Sequence, residues 1–160
     1  LSPFNISNEV YKKALGHFNG LAHRCQFVAQ LGGVKYFNDS KATNVGATIA
    51  AIDSLSTGTD DLIVIAGGDA KGADLNPLKP YLKKHVKALI CFGKDAKDLM
   101  ALTSKSHLTQ NMSEAVTLAK QLSLPGNVVL LAPACASIDM YNNYMQRGDD
   151  FVTCVLAEQV

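Results

Sequence analysis

The sequence predicts one α/β domain whose mainly parallel sheet has about six strands, one of them antiparallel, with helices on both faces. Short, wholly apolar runs such as residues 62–66 and 128–131 have the length and composition of buried parallel strands. Stretches with helical spacing and helix-start residues lie between such runs, so strand and helix alternate from Asn38 onward. Ahead of that alternation, two extended runs flank Gly32-Gly33, a hairpin signal that makes the first pairing antiparallel.

Each element follows from local pattern. Residues 5–18 carry Ile6, Val10, Leu15 and Phe18 at loosely helical spacing, with Ser7 or Asn8 as cap and Gly16 and Gly20 loosening the chain: a helix and linker. Residues 26–31 and 34–37 form the hairpin. Residues 45–55 read as a helix, 62–66 as a buried strand, and 78–85 as a helix with Pro77 at its first turn. Residues 88–92 are the next strand, 95–102 the next helix and 107–109 a short strand; a helix over 112–122 follows, opened by Asn111 and Glu114 as a capping box. After the Pro125-Gly126 turn, 128–131 is the most apolar strand, and a final helix covers roughly 146–158. Because each right-handed crossover helix returns the chain parallel to the strand it left, about five parallel strands and one antiparallel strand result.

Composition narrows the function classes. A chain of 160 residues, 48% of them hydrophobic, buries one proper core and leaves little room for a second large domain. Fifteen basic residues against 14 acidic ones, a formal charge of +1, provide no concentrated lysine stripe to follow a phosphate backbone, so nucleic acid is not an expected partner. The apolar runs are strand-sized rather than membrane-sized, and no signal-like segment opens the chain; a cytoplasmic protein without membrane attachment is the expectation. Cys25, Cys91, Cys135 and Cys154 are scattered without a CxxC pair and read as reduced thiols, while His17, His23, His85 and His107 lack metal-ligand spacing, so no metal site is expected here. A start at Leu1-Ser2-Pro3-Phe4 without an initiator Met suggests a piece of something longer.

In a parallel sheet, ligands bind where loops leave the carboxyl ends of the strands. Three such loops are rich in chemistry. In Asn38-Asp39-Ser40-Lys41-Ala42-Thr43-Asn44, acid, hydroxyl and lysine sit at a helix start, where free N–H groups favour an anion; the structural alternative is that Asp39, Thr43 or Asn44 only caps the helix. In Gly67-Gly68-Asp69-Ala70-Lys71-Gly72-Ala73-Asp74, glycines permit close approach of a ligand and Lys71 offers a mobile cation, although Gly67-Gly68 alone is an ordinary turn. In Pro133-Ala134-Cys135-Ala136-Ser137-Ile138-Asp139, Ser137 can donate to a carboxylate; it lacks the GxSxG context of a nucleophile, and none of the four histidines is expected on this edge. Neither GxGxxG nor GxxxxGK[ST] occurs, so the chain carries no nucleotide-hydrolysing loop of its own.

Together these loops resemble those of the Mur ligases. The heptapeptide 38–44 is similar to the form found in the D-glutamate-adding member, whose relatives carry histidine-containing versions. Gly20-Leu21-Ala22-His23-Arg24 resembles the entry into the family's C-terminal domain, and 131–137 with Arg147-Gly148-Asp149 its closing motif. The resemblance implies a Rossmann-like C-terminal domain over 21–160, with 1–20 the helix and linker ending a central, P-loop-bearing ATPase domain. It further implies that the N-terminal and central domains are partners lying outside this chain. The implied reaction uses ATP and Mg2+ to join D-glutamate to UDP-N-acetylmuramoyl-L-alanine through an acyl phosphate in peptidoglycan synthesis, and the isolated domain is expected to be inactive. By the family pattern Thr43, Lys71, Ser137, Ile138 and Tyr144 would hold D-glutamate, while Arg24, Asp39 and Lys41 would face the nucleotide. No catalytic residue and no metal ligand falls within the chain; its role would be positional. Tyr144 departs from the phenylalanine expected there, and its added hydroxyl requires a partner or water. The rival expectations are the matching domain of another Mur or folylpolyglutamate-type ligase, and a stand-alone α/β binding module.

Overall fold

The computed structural model describes residues 9–10, 20–58 and 61–157. The helix expected over 5–18 thus lies outside the described residues except at Glu9 and Val10. In chain order the elements are β1 (Gln26–Leu31), β2 (Val34–Asn38), α1 (Val45–Leu55), β3 (Leu62–Gly67), a 3-10 turn (Asn76–Leu78) running into α2 (Lys79–His85), β4 (Val86–Phe92), α3 (Ala96–Met100), β5 (Ser106–Leu108), α4 (Met112–Leu122), β6 (Val128–Leu131) and α5 (Tyr144–Ala157).

Most boundaries follow from caps and turns visible in the residues. Gly32 and Gly33 take φ of 56° and 81°, as a two-residue hairpin turn requires, and set the antiparallel register Leu31↔Val34. Asn44 and Asn111 start α1 and α4 by accepting from the N–H of Ala47 and of Glu114, each at 2.9 Å. Glu114 in turn accepts from the N–H of Gln110, one residue before the cap, so the capping box is displaced by one position. The helix expected over 78–85 is split: Pro77 stands in the 3-10 turn and Pro80 in the first turn of α2, each placed where its missing N–H costs nothing. The helix expected over 95–102 is shorter, Ala96–Met100, because the chain beyond it tightens into i→i−3 turns, the N–H groups of Leu102 and Thr103 donating to the carbonyls of Leu99 and Met100.

The sheet order is β1-β2-β6-β3-β4-β5, with β1 antiparallel to β2 and every other pairing parallel. Side-chain alternation divides the interior in two. Leu62, Val64 and Ala66 of β3 pack with Ile52 of α1, Leu82 of α2 and Leu99 of α3. Ile63 and Ile65 face the other way, onto Val116 and Ala119 of α4 and Phe151 of α5. β3 is buried throughout, each large side chain contributing roughly 1.5–3 kcal/mol over an exposed position. From β2 the chain steps through β3 and β4 to β5, then returns to β6 between β2 and β3; right-handed crossovers require the returning helix, α4, to lie on the opposite face from α1–α3. The carboxyl end of β6 therefore leaves toward one face and its neighbours toward the other, which opens a crevice between them. Asn38, Leu131 and Ile65 are level across this edge.

Candidate functional site

The first loop is anchored before it turns outward. Asn38 is fully buried; its Oδ1 accepts from the Ser40 N–H at 3.1 Å, and its Nδ2 donates to the Gly148 carbonyl of α5 at 3.1 Å. The Asp39 N–H donates to the Leu131 carbonyl at 2.9 Å, joining the loop to β6. Because the cap of α1 is Asn44, neither Asp39 nor Thr43 serves that purpose. Asp39 is 9% exposed, and burial raises its pKa against the weaker lowering effects of hydrogen bonds from Cys25 and the charge of Arg24. Cys25 donates its Sγ–H to Asp39 Oδ2 at 3.6 Å; burial, then the Asp39 charge and hydrogen bond, push the thiol up to about 11.

The hairpin brings Arg24 to this place. Gln26 pairs with Asn38, so the residues just before β1 stand beside those just after β2. Arg24, Asp39 and Lys41 consequently line one depression of about 420 Å³, floored by Ala42, Ala47, Ala50 and Ala51 of the loop and α1. The same pairing places His23 on this edge, where no histidine was expected; an antiparallel strand begins where its parallel neighbours end. His23 is buried, with Nδ1 3.1 Å from Asn38 Nδ2 and its carbonyl accepting from the Lys41 N–H. Asn38 Oδ1 already accepts from Ser40, so its amide nitrogen is the donor to His23, which leaves Nε2 as the protonated nitrogen, 3.6 Å from Asp149.

The second and third loops are stitched to each other. Asp69 and Ala136 exchange two backbone hydrogen bonds of 2.9 Å, and the Gly67 N–H donates to the Pro133 carbonyl. Lys71 and Ser137 therefore stand on either side of one short bridge, Lys71 exposed and Ser137 only 4% exposed. Lys71 has φ of 54°, held by its N–H donating to Asp69 Oδ1 at 2.8 Å. The other oxygen of Asp69 pairs with Lys94 Nζ at 3.1 Å, and the Lys94 N–H donates to Asp139 Oδ2, so a fourth loop, after β4, joins the rim. The Lys71 hydrogen bond, followed by that of Lys94, holds the Asp69 carboxyl below the usual range.

Thr43 is half-buried in the first loop, which the Ala134 N–H joins to the third by donating to the Ala42 carbonyl. Ile138 stands 61% exposed at the rim. Tyr144 opens α5; its carbonyl accepts from Ser40 Oγ at 2.7 Å, and its ring lies under Lys41 Nζ at 4.1 Å and edge-on to His23. Both ring contacts are ones that a phenylalanine could equally make.

Beneath all three loops lies Arg147, fully buried. Its Nε and Nη2 donate to Ser40 Oγ and the Ser40 carbonyl at 3.1 and 2.9 Å, and its Nη1 to the carbonyls of Gly67 and Cys135 at 3.2 and 3.1 Å. Burial lowers its pKa to about 10, which leaves it a cation at neutral pH. Sequence reasoning placed Arg147 in a motif but assigned it no role. The available signal was an arginine inside an otherwise amphipathic helix, one turn from Phe151 on the core face.

A family model described as "Mur ligase, glutamate ligase domain" matches residues 23–135. The UDP-N-acetylmuramoylalanine–D-glutamate ligase of Pseudoalteromonas translucida is 83% identical over 159 residues, covering 99% of this chain and 36% of that protein. The enzyme of the same description from Shewanella violacea is 51% identical over 146 residues, covering 91% of this chain and 32% of its own length. The chain spans about a third of these curated relatives. Among solved structures, the bifunctional folylpolyglutamate synthase/dihydrofolate synthase of Yersinia pestis superposes with a TM-score of 0.68 at 16% identity, over 99% of this chain and 36% of that one, a likeness of fold alone. By the family match and the two relatives, the chain belongs to the Mur ligase glutamate ligase domain family.

Proposed function

We propose that this chain is the C-terminal domain, over 21–160 with a linker before it, of the ATP-dependent cytoplasmic ligase that adds D-glutamate to UDP-N-acetylmuramoyl-L-alanine. The observation that carries the reading is the division of one sheet edge into two neighbouring halves. On one side Arg24, Asp39 and Lys41 share a depression, with the Tyr144 ring against Lys41; on the other Lys71, Ser137 and Ile138 form a rim, and Thr43 lies on the first loop beside the Ala42–Ala134 link. The relatives described as D-glutamate ligases, at 83% and 51% identity, favour this substrate over the folate-type alternative, whose likeness is 16%.

The residues suit the ligands they would meet. Two cations and a carboxylate in a depression floored by alanine fit a nucleotide: Asp39 accepts from ribose hydroxyls, Arg24 lies against the base or pairs with phosphate, and Lys41 meets phosphate. D-Glutamate carries two carboxylates, so Lys71, Thr43 and Ser137 fix it in one orientation through charge-assisted hydrogen bonds worth roughly 1.5–3 kcal/mol each. Bound ATP would supply the phosphoryl group that activates the precursor's carboxylate, with Mg2+ held by residues outside this chain. What this domain does is orient the amine of D-glutamate toward that activated carboxylate and help exclude water.

The test compares the complete enzyme with the 160-residue chain. The complete enzyme is expected to join D-glutamate to UDP-N-acetylmuramoyl-L-alanine with ATP consumed, and the chain alone to fold yet form no product and bind either small ligand weakly. Product from the chain alone, or a complete enzyme that ignores D-glutamate, overturns the reading.

A further inference from the structure

We propose that Arg147 is a positioning residue that holds the nucleotide-facing and amino-acid-facing halves of the site in one fixed relation, although it touches neither ligand. The proposal rests on the functional reading above and adds a residue to which that reading assigns no part.

The geometry is specific. One rigid guanidinium reaches all three loops: Ser40, between Asp39 and Lys41; Gly67, two residues before Asp69; and Cys135, two residues before Ser137. Those partners are three carbonyls and one hydroxyl, so four N–H groups of a planar fork meet acceptors from three separate segments of backbone. A lysine ammonium offers three donors around one point and cannot span the same spread. The space for the fork is made by Gly68: a Cβ there would stand 2.0 Å from the Ala136 carbonyl oxygen and 3.2 Å from Arg147 Nη1. Ser40 Oγ, which accepts from Nε, donates in turn to the Tyr144 carbonyl one turn earlier in α5, so helix and first loop are locked at two points. A buried arginine whose partners are carbonyls is a costly core element and a poor filler, since an apolar side chain would pack more cheaply. Its placement at the junction of three ligand loops gives it a use that packing does not.

A residue that only stabilises the fold and one that aligns the loops differ in what their loss changes. Loss of folded fraction lowers apparent kcat and leaves KM alone, whereas misalignment of the loops raises KM for both ligands in molecules that are still folded. Displacements of about 1 Å suffice for losses on the order of a hundredfold.

The experiment uses the complete enzyme with Arg147→Lys, and with Ser40→Ala as a milder variant that removes the Nε acceptor and the hydroxyl's bond to the Tyr144 carbonyl but keeps the other three guanidinium contacts. KM for D-glutamate and for ATP are measured well below each variant's melting temperature. Backbone amide exchange is followed in parallel over residues 39–43, 69–73 and 134–138. We expect both KM values to rise together in Arg147→Lys, each by on the order of tenfold, and less in Ser40→Ala. Exchange should quicken in all three loops at once while α4 keeps its protection. KM values within twofold of the parent in a folded variant, or faster exchange confined to one loop, overturn the proposal. A parent enzyme that does not use D-glutamate overturns the functional reading instead, and the exchange measurement, which needs no substrate, still decides whether the guanidinium holds the three loops.

Discussion

The two halves of the ligand edge are built differently. The half proposed to face the nucleotide has an embedded backbone: Asn38 and Ser40 are fully buried and Asp39 nearly so, with His23, Asn38 and α5 bracing the loop from behind, while Arg24 stands exposed at its mouth. The half proposed to face the amino acid is a rim, with Lys71 exposed and Ile138 61% exposed around the buried Ser137, carried on backbone held by the Asp69–Ala136 bridge. One half is a formed depression and the other presents Lys71 and Ile138 outward. Carboxylates report the same contrast: burial raises the pKa of Asp39, whereas hydrogen bonds from Lys71 and Lys94 lower that of Asp69.

The rim depends on backbone placement, so the largest effect is expected from crowding it. Gly68 has φ of 124°, and its missing Cβ would meet a backbone carbonyl that cannot yield; Gly72, with φ of 75°, has open space around it. Gly68→Ala should destabilise the chain by more than about 3 kcal/mol, against about 1–2 kcal/mol for Gly72→Ala, which carries only the left-handed penalty. Equilibrium denaturation of both variants separates the two, and equal costs would show that the close approach to Ala136 is unimportant.

A smaller effect sharpens the carboxylate contrast. In side-chain NMR titrations Asp39 should titrate above the ordinary aspartate value and Asp69 below it. Lys94→Gln should move Asp69 upward but leave part of its depression, because the Lys71 N–H is the larger cause, and should leave Asp39 unmoved. The stability consequences have opposite signs. Asp69 stabilises the fold above its unfolded pKa, and that contribution is lost as pH falls through its depressed folded value. Asp39's contribution is present below its unfolded pKa and is lost as pH rises through its raised folded value. Both residues titrating on the same side would dissolve the contrast.

Much of the fold was legible because its signals are local. The hairpin glycines, the two asparagine caps and the apolar strands each encode their element within a few residues, and the boundaries of α1, α4 and β6 follow directly. Strand order was not legible, since placing β6 between β2 and β3 depends on which face α4 covers. The three loops could be read as site-bearing, and the resemblance supplied roles for side chains on them. What pattern could not reveal were the groups acting across long separations: Arg147 joins segments 80 and 107 residues away, and His23 reaches the edge only through antiparallel pairing. Asp69 lay within a quoted loop, yet its use as the clamp for Lys71 and Lys94 needs coordinates to be seen.

The central claim, that one edge holds two separable halves, is tested most directly by crossing two lysines with two substrates in the complete enzyme. Lys71→Ala should reduce kcat/KM for D-glutamate by about ten- to more than a hundredfold, the loss of one charge-assisted contact of roughly 1.5–3 kcal/mol, with far less effect on ATP. Lys41→Ala should do the reverse, acting on ATP first. Kinetics with each substrate varied in turn give the answer: a crossed pattern supports two halves. Unchanged D-glutamate kinetics in a folded Lys71→Ala enzyme, or both variants weakening the same substrate, would contradict the account.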